Sequence, residues 1–256
     1  MSYIVNRCSA INVWLFGIKA IKFQNVEVVV KKYKIIWNEL NIREHIIYLI
    51  LNLKKTDDDK TLPNDDQFKG MEVVVTIKMD GENTTVYPDG YIHTRSLDGT
   101  HYEWQNWLKS KIWKYTEYLA DNERIIGENL YAKHSIGYKF NSIDDSFQVF
   151  GIANDEEFYS WQVICDYCNT IGIPIVEEIY KGIYDKDKIM EAFENKKKEL
   201  AEQGQDIEGF VVCDVNDFPT SEFSNHVAKY VRANHVQTDK HWKETWTKNE
   251  ILKYDK

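Results

Sequence analysis

Proline is scarce in this chain, with four in 256 residues, and glycine is limited to twelve, which excludes a low-complexity polymer. Cysteine is also rare. Cys165 and Cys168 form the pair CDYC, while Cys8 and Cys213 stand apart. A zinc site needs a second pair or histidines at ligand spacing, and neither is present. CDYC falls within WQVICDYCNTIG, whose periodicity is helical, so the two thiols read as small apolar residues on one helix face. Unpaired thiols suit a reducing compartment. No apolar run has the length to span a bilayer: INVWLFGIKAI is interrupted by Lys19, and IIYLILNL is too short. A soluble, cytoplasmic protein without a membrane partner is expected. Repeats of solenoid length are missing too.

What is present is apolar and aromatic. Hydrophobic residues make up 43% and aromatics 14%, enough for a sizeable core in one large domain with a small extension. Charge is unevenly spread. Residues 1–55 hold nine Lys/Arg against three Glu, in a chain whose net charge is −9. The rest is therefore strongly acidic, which argues against non-specific coating of nucleic acid but allows a local basic groove. Residues 1–55 are expected to be a basic N-terminal extension to which the sequence assigns no role. The polar stretch KTDDDKTLPNDDQFKG marks the boundary, and residues 56–256 form the main domain.

Within that domain short strands alternate with hairpin turns and helices. EVVVTIKM reads as a strand, and NTTVYPDGYIHTRS as a hairpin turning at Pro88-Asp89-Gly90. HYEWQNWLKSKIWKYTEYLAD is amphipathic, with Trp104, Trp107, Leu108 and Ile112 on one helical face. Trp113 is expected in the core as well. Further strands are read in ERIIGENLYA, SFQVFGIAN and IPIVEEIYKG. Helices are read in EEFYSWQVICDYCNTIG, ended by Gly172, and in DKDKIMEAFENKKKELAEQG. IEGFVVCDV and HVAKYVRA are expected as the last strands, and HWKETWTKNEILK as a closing helical tail. Strands linked by hairpins as well as helices indicate an α+β class.

Lys78 ends the buried strand and opens KMDGEN. A buried ammonium is costly unless paired or shifted toward the neutral amine, and a neutral amine is a nucleophile. The same four residues, KMDG, also describe a surface lysine at an Asp-Gly turn. Other strands carry an ionisable residue beside an apolar run: Arg95, Glu128, Glu208, Lys229 and Arg232. Several such charges on separate strands point to a shared polar cleft able to hold a polyphosphate and a metal together. Edge-strand charges facing water are the alternative.

KMDGEN, HTRS, GENLYAKHSIGY, FQVFGI, EGFVV and AKYVRANHVQTDKHW occur in that order. This series resembles the covalent nucleotidyltransferase superfamily of ATP-dependent ligases and capping enzymes, and within it the RNA ligase family, over roughly residues 56–245. The resemblance implies an adenylation domain of antiparallel sheets flanked by helices around an ATP cleft. It implies Lys78 as the nucleophile that becomes lysyl-AMP, flanked by Asp80, with Asn83 near the ribose or triphosphate. Arg95 would contact a phosphate, Glu128 the ribose hydroxyls, and Phe150 the adenine face. Glu208 would assist a metal, and Lys229, with Arg232 as a second cation, the α-phosphate. ATP, Mg²⁺ or Mn²⁺, and RNA bearing 5′-phosphate and 3′-hydroxyl ends are the implied partners. An absolute divalent-cation requirement is expected, because Asp80 stabilises the ammonium form of Lys78.

The chain departs from the family pattern in three places. Ile77 stands where relatives often carry a Glu that reads adenine. Gly151 stands where many carry an acid. Lys229 is followed by Tyr230 and Val231 instead of a second lysine. His134 lies close enough to Glu128 in sequence to reach RNA or phosphate, and His235 and His241 follow the last motif. A DNA ligase, a capping-type enzyme and a non-catalytic nucleotide- or RNA-binding module are the rival readings.

Overall fold

The structure, a computed structural model, describes residues 64–94, 102–232 and 246–252, together with the backbone of short strands at 13–15, 18–20 and 47–48. The first strands, β1 (Val13–Leu15) and β2 (Ile18–Ala20), pair with each other. Beyond these short strands, what residues 1–55 contribute lies outside the described residues.

Two sheets form the body, antiparallel except for one parallel edge pairing, and the fold is α+β as expected. The first is built around β4 (Glu72–Lys78), whose Val73, Val74, Val75, Thr76 and Ile77 are all buried. Such a run lacks the polar alternation of a half-exposed strand because both faces are covered. β12 (Glu178–Ile183) flanks it on one side and β13 (Gly209–Asp214) on the other; β15 (Val227–Val231) and β3 (Ile47–Tyr48) follow. On one face Val73, Val75, Ile77, Phe210 and Val212 pack with Ile189 and Phe193 of a charged helix, Lys186–Glu202. Asp185 caps that helix by accepting the Lys188 N–H. On the other face Val74 and Val227 join the larger cluster shared with the second sheet.

The second sheet runs in the order β14 (Phe218–Pro219), β11 (Glu157–Phe158), β10 (Phe147–Ala153), β7 (Arg124–Asn129), β5 (Glu82–Val86) and β6 (Ile92–Thr94). The β5–β6 hairpin turns at Pro88-Asp89-Gly90, where Gly90 takes a φ of 84°. Helix α1 (Asn106–Thr116) buries Trp107, Leu108 and Ile112, and Trp104 is buried just before it. Trp113 is a correction: at 70% exposure it lies on the solvent side of α1, off the Trp107–Leu108–Ile112 stripe. Helix α2 (Trp161–Ile171) buries Cys168 and ends at left-handed Gly172, and both its thiols are free.

The closing helix is also corrected. Residues 246–252 form two short strands, β16 (Thr247–Lys248) and β17 (Glu250–Ile251). They pair with β8 (Ala132–Lys133) and β9 (Lys139–Phe140). Asn249 and Ile251 are buried, whereas Lys248, Glu250 and Leu252 are exposed, and this period of two is a strand pattern. Among the described residues no helix is long and apolar enough to cross a membrane.

Candidate active site

Strand alternation decides what Lys78 faces. Ile77 points into the apolar cluster beneath the charged helix, 7% exposed, so Lys78 points the opposite way, toward the second sheet. Its Nζ lies 2.5 Å from Glu208 Oε2. Glu208 directly precedes β13, whose Gly209 is the register partner of Lys78. Only glycine fits at 209: a Cβ there would collide with the Tyr230 carbonyl oxygen on β15. The close approach of these strands sets Glu208 against the lysine.

Glu128, on β7, completes the group from the other sheet. One of its oxygens accepts the Gly81 N–H at 3.0 Å. Gly81 has no left-handed backbone; it is required because a Cβ would lie 2.7 Å from both the Asn129 carbonyl oxygen and the Leu130 side chain. KMDG is therefore the crossing point between the two sheets, not a free Asp-Gly turn.

The electrostatics follow from burial and proximity. Burial alone would lower the Lys78 pKa, but the carboxylates of Glu208, Glu128 and Asp80 outweigh it and the net shift is upward. Burial raises the Glu128 pKa to about 8; the Lys78 ammonium opposes that rise, and Glu208 and Asp80 add to it. As described, the site holds an ammonium–carboxylate pair beside a carboxyl group able to carry a proton near neutral pH.

Asp80 bonds the segment that follows β8. Its Oδ2 accepts the Ile136 N–H at 2.8 Å, and its own N–H donates to the Tyr138 hydroxyl at 2.9 Å. His134 packs beside it, with Nδ1 4.0 Å from Asp80 Oδ1. Asn83 is the register partner of Glu128, so the two share a face of the second sheet. Phe150 sits in the β-bulge between Val149 and Gly151, half-buried. Gly151 has its own reason: a Cβ would strike the Phe158 ring, which leaves no room for an acid there.

Lys229 is opposite Val211, itself opposite Thr76, so Lys229 lies on the same face of the first sheet as Lys78. Arg232 is engaged by the Asp206 carboxylate and by the Ile207 carbonyl oxygen at 2.6 Å. Arg95, His235 and His241 lie outside the described residues. The sheets thus bring Lys78, Glu128 and Glu208 together, with Asn83 and Lys229 on the facing surfaces, while Asp80 and Arg232 hold protein groups.

Among the described residues no group of three or more His, Cys, Asp or Glu side chains could hold a metal ion.

Three residues that matter here were not legible as site residues. Glu82 is buried and accepts from Trp104 Nε1 at 3.1 Å and Gln105 Nε2 at 2.9 Å, tying β5 to the start of α1. Its place inside KMDGEN was the available cue. Tyr138 and Asn249 offered none, since their partners are distant in sequence.

A family model described as RNA ligase matches residues 71–231. No curated protein matches. Among solved structures, an archaeal ATP-dependent RNA ligase aligns at 17% identity over 71% of this chain and 48% of its own, with a TM-score of 0.45. A mutant RNA ligase of Naegleria gruberi with ATP and Mn aligns at 16% identity over 60% of this chain and 50% of its own, with a TM-score of 0.40. A putative ATP-dependent DNA ligase from Aquifex aeolicus aligns at 17% identity over 65% and 45%, with a TM-score of 0.39. The chain spans about half the length of these solved proteins.

Proposed function

The chain belongs to the RNA ligase family, and on that footing we propose that it is an ATP-dependent RNA ligase acting through a lysyl-AMP intermediate. One observation carries the reading. A lysine at the end of a buried strand has its amine 2.5 Å from a buried carboxylate, Glu208, with a second carboxyl group, Glu128, brought in from the other sheet against Gly81.

In the proposed reaction the Lys78 amine attacks the α-phosphorus of ATP, a P–N bond forms, and pyrophosphate leaves. AMP then passes to an RNA 5′-phosphate and frees the lysine. A 3′-hydroxyl attacks that activated end, sealing the strand and releasing AMP. Phosphoryl transfer of this kind depends on alignment and charge neutralisation.

The chain's own residues supply those needs. Lys78 must lose a proton before it attacks, and its contact with Glu208 favours the ammonium until that carboxylate is drawn away. Glu128 and Asn83 face the cleft together, and we assign them to the ribose and triphosphate edge. Lys229 is assigned to the α-phosphate, and Arg232 to the adjoining phosphate once it leaves Asp206. Phe150 offers an aromatic face to a purine. Arg95 is assigned to a phosphate on sequence grounds. A divalent cation at Glu208 would neutralise charge on the triphosphate and lower the Lys78 pKa by competing for the carboxylate.

The test is labelling with α-labelled ATP and Mg²⁺. Wild type is expected to take covalent label and Lys78→Ala none. A folded wild type that takes no label would favour a non-catalytic binding module. Labelling by GTP in place of ATP would favour a capping-type enzyme, and sealing of DNA but not RNA nicks a DNA ligase.

A further inference from the structure

Besides its two strand pairings, the segment 246–252 is tied to the surroundings of the proposed nucleophile by a buried polar side chain. Asn249 is 4% exposed. Its Nδ2 donates to the Leu130 carbonyl oxygen at 2.7 Å, and its Oδ1 accepts the Tyr138 N–H at 2.8 Å. Its backbone N–H donates to the Tyr131 carbonyl oxygen at 3.1 Å. All three atoms of Asn249 that form these bonds are committed to the segment between Glu128 and Phe140.

Both bonded ends lead straight to site residues. Leu130 follows Glu128 by two positions on the same chain. Tyr138 donates nothing to Asn249 through its ring; its hydroxyl is free to accept the Asp80 N–H at 2.9 Å, two residues after Lys78. Asp80 in turn accepts the Ile136 N–H. Leu130, Ile136, Tyr138 and Phe140 form a small apolar cluster with Met79, the residue between Lys78 and Asp80. Hydrogen bonds made by buried groups fix geometry because breaking them strands a polar atom.

We propose that Asn249 is a positioning residue for the Lys78 centre. It holds the end of the Lys78 strand, through Tyr138, in register with the end of the Glu128 strand, through Leu130. The proposal rests on the reading of Lys78 as the nucleophile. Asn249 touches no reacting atom; its effect is on the alignment of the amine with the α-phosphorus, where small misplacements are costly.

The experiment uses the full chain with Asn249→Ala, Tyr138→Phe and, as control, Leu252→Ala on the exposed side of the same segment. Tyr138→Phe keeps the ring in its cluster and deletes only the acceptor of the Asp80 N–H, so it covers the case in which Asn249→Ala does not fold. Single-turnover lysyl-adenylate formation is followed against ATP concentration, and amide exchange at Asp80 is followed without ATP. The expected result is a fall of roughly tenfold or more in the saturating rate for Asn249→Ala and Tyr138→Phe. Half-saturating ATP should change little, exchange at Asp80 should be faster, and Leu252→Ala should match wild type. An unchanged saturating rate, a loss confined to ATP affinity, or unchanged exchange at Asp80 overturns the proposal. A wild type that takes no label overturns the nucleophile reading instead, and the Asp80 exchange result then still decides whether Asn249 holds this strand end.

Discussion

Lys78 and Glu208, 130 residues apart in sequence, meet at 2.5 Å because Gly209 lets β13 lie hard against β15 beside the end of β4. Neither side chain is fully wetted: Lys78 is 20% exposed and Glu208 6%. Glu208→Ala would leave a mostly buried ammonium without its nearest counter-charge, at a cost of about 3 kcal/mol. Chemical denaturation should show that loss. Glu208→Gln, which keeps the shape, should lose less stability and still fail to form lysyl-adenylate at the wild-type rate.

Glu128 predicts a pH dependence. Its folded pKa is raised, so in the pH window from the usual carboxylate range up to about 8 the unfolded chain ionises this group while the folded one keeps its proton. Its contribution to stability is therefore complete at low pH and is lost as pH climbs through that window. Glu128→Gln cannot ionise. Thermal melts between pH 5 and 8.5 should show a smaller decline for Glu128→Gln than for wild type, with the variant more stable at the upper end. Parallel declines in the two proteins would contradict the raised pKa.

Asp80 separates two roles by substitution. Its carboxylate is used as an acceptor for the Ile136 N–H, and an amide oxygen can do the same. Asp80→Asn should keep the fold and most of the lysyl-adenylate rate. Asp80→Ala strands a buried N–H, costing about 1–3 kcal/mol, and should slow the reaction more. Equal loss in both would mean that the charge, not the bond, is what the site needs.

Ile77 stands where the family resemblance leads one to expect a Glu, and the fold says why an acid there would fail. The side chain faces Phe210 and the charged helix. Ile77→Glu would bury a carboxylate in an apolar cluster, at a cost of about 3 kcal/mol or more. A drop in melting temperature, with no gain in preference for ATP over GTP, is the expected outcome.

Much of this was readable in advance. The strand ending at Lys78, the hairpin at Pro88-Asp89-Gly90 and the α1 stripe follow from local periodicity, and the ordered motifs put Lys78, Glu128 and Glu208 in one place. Local pattern failed where a partner strand decides the outcome. TWTKNEILK has apolar residues that fit a helix, but β8 and β9 offer open edges, and pairing with them prevails. Asp80 and Arg232 look like ligand-binding charges in sequence, but nothing local shows that a backbone N–H and Asp206 engage them first. Gly81 reads as a turn glycine because the crowding by Asn129 and Leu130 is tertiary.

Asn249 bonds groups 111 and 119 residues earlier in the chain. Contacts of such span are made late, since a long loop must close before they give anything back. During synthesis, Lys78, Glu128 and Glu208 all leave the ribosome before Asn249. A nascent chain would therefore carry every chemical group of the centre for some time without the strap that aligns them. Competence for the first ATP would arrive as a discrete event, when residues 246–252 dock.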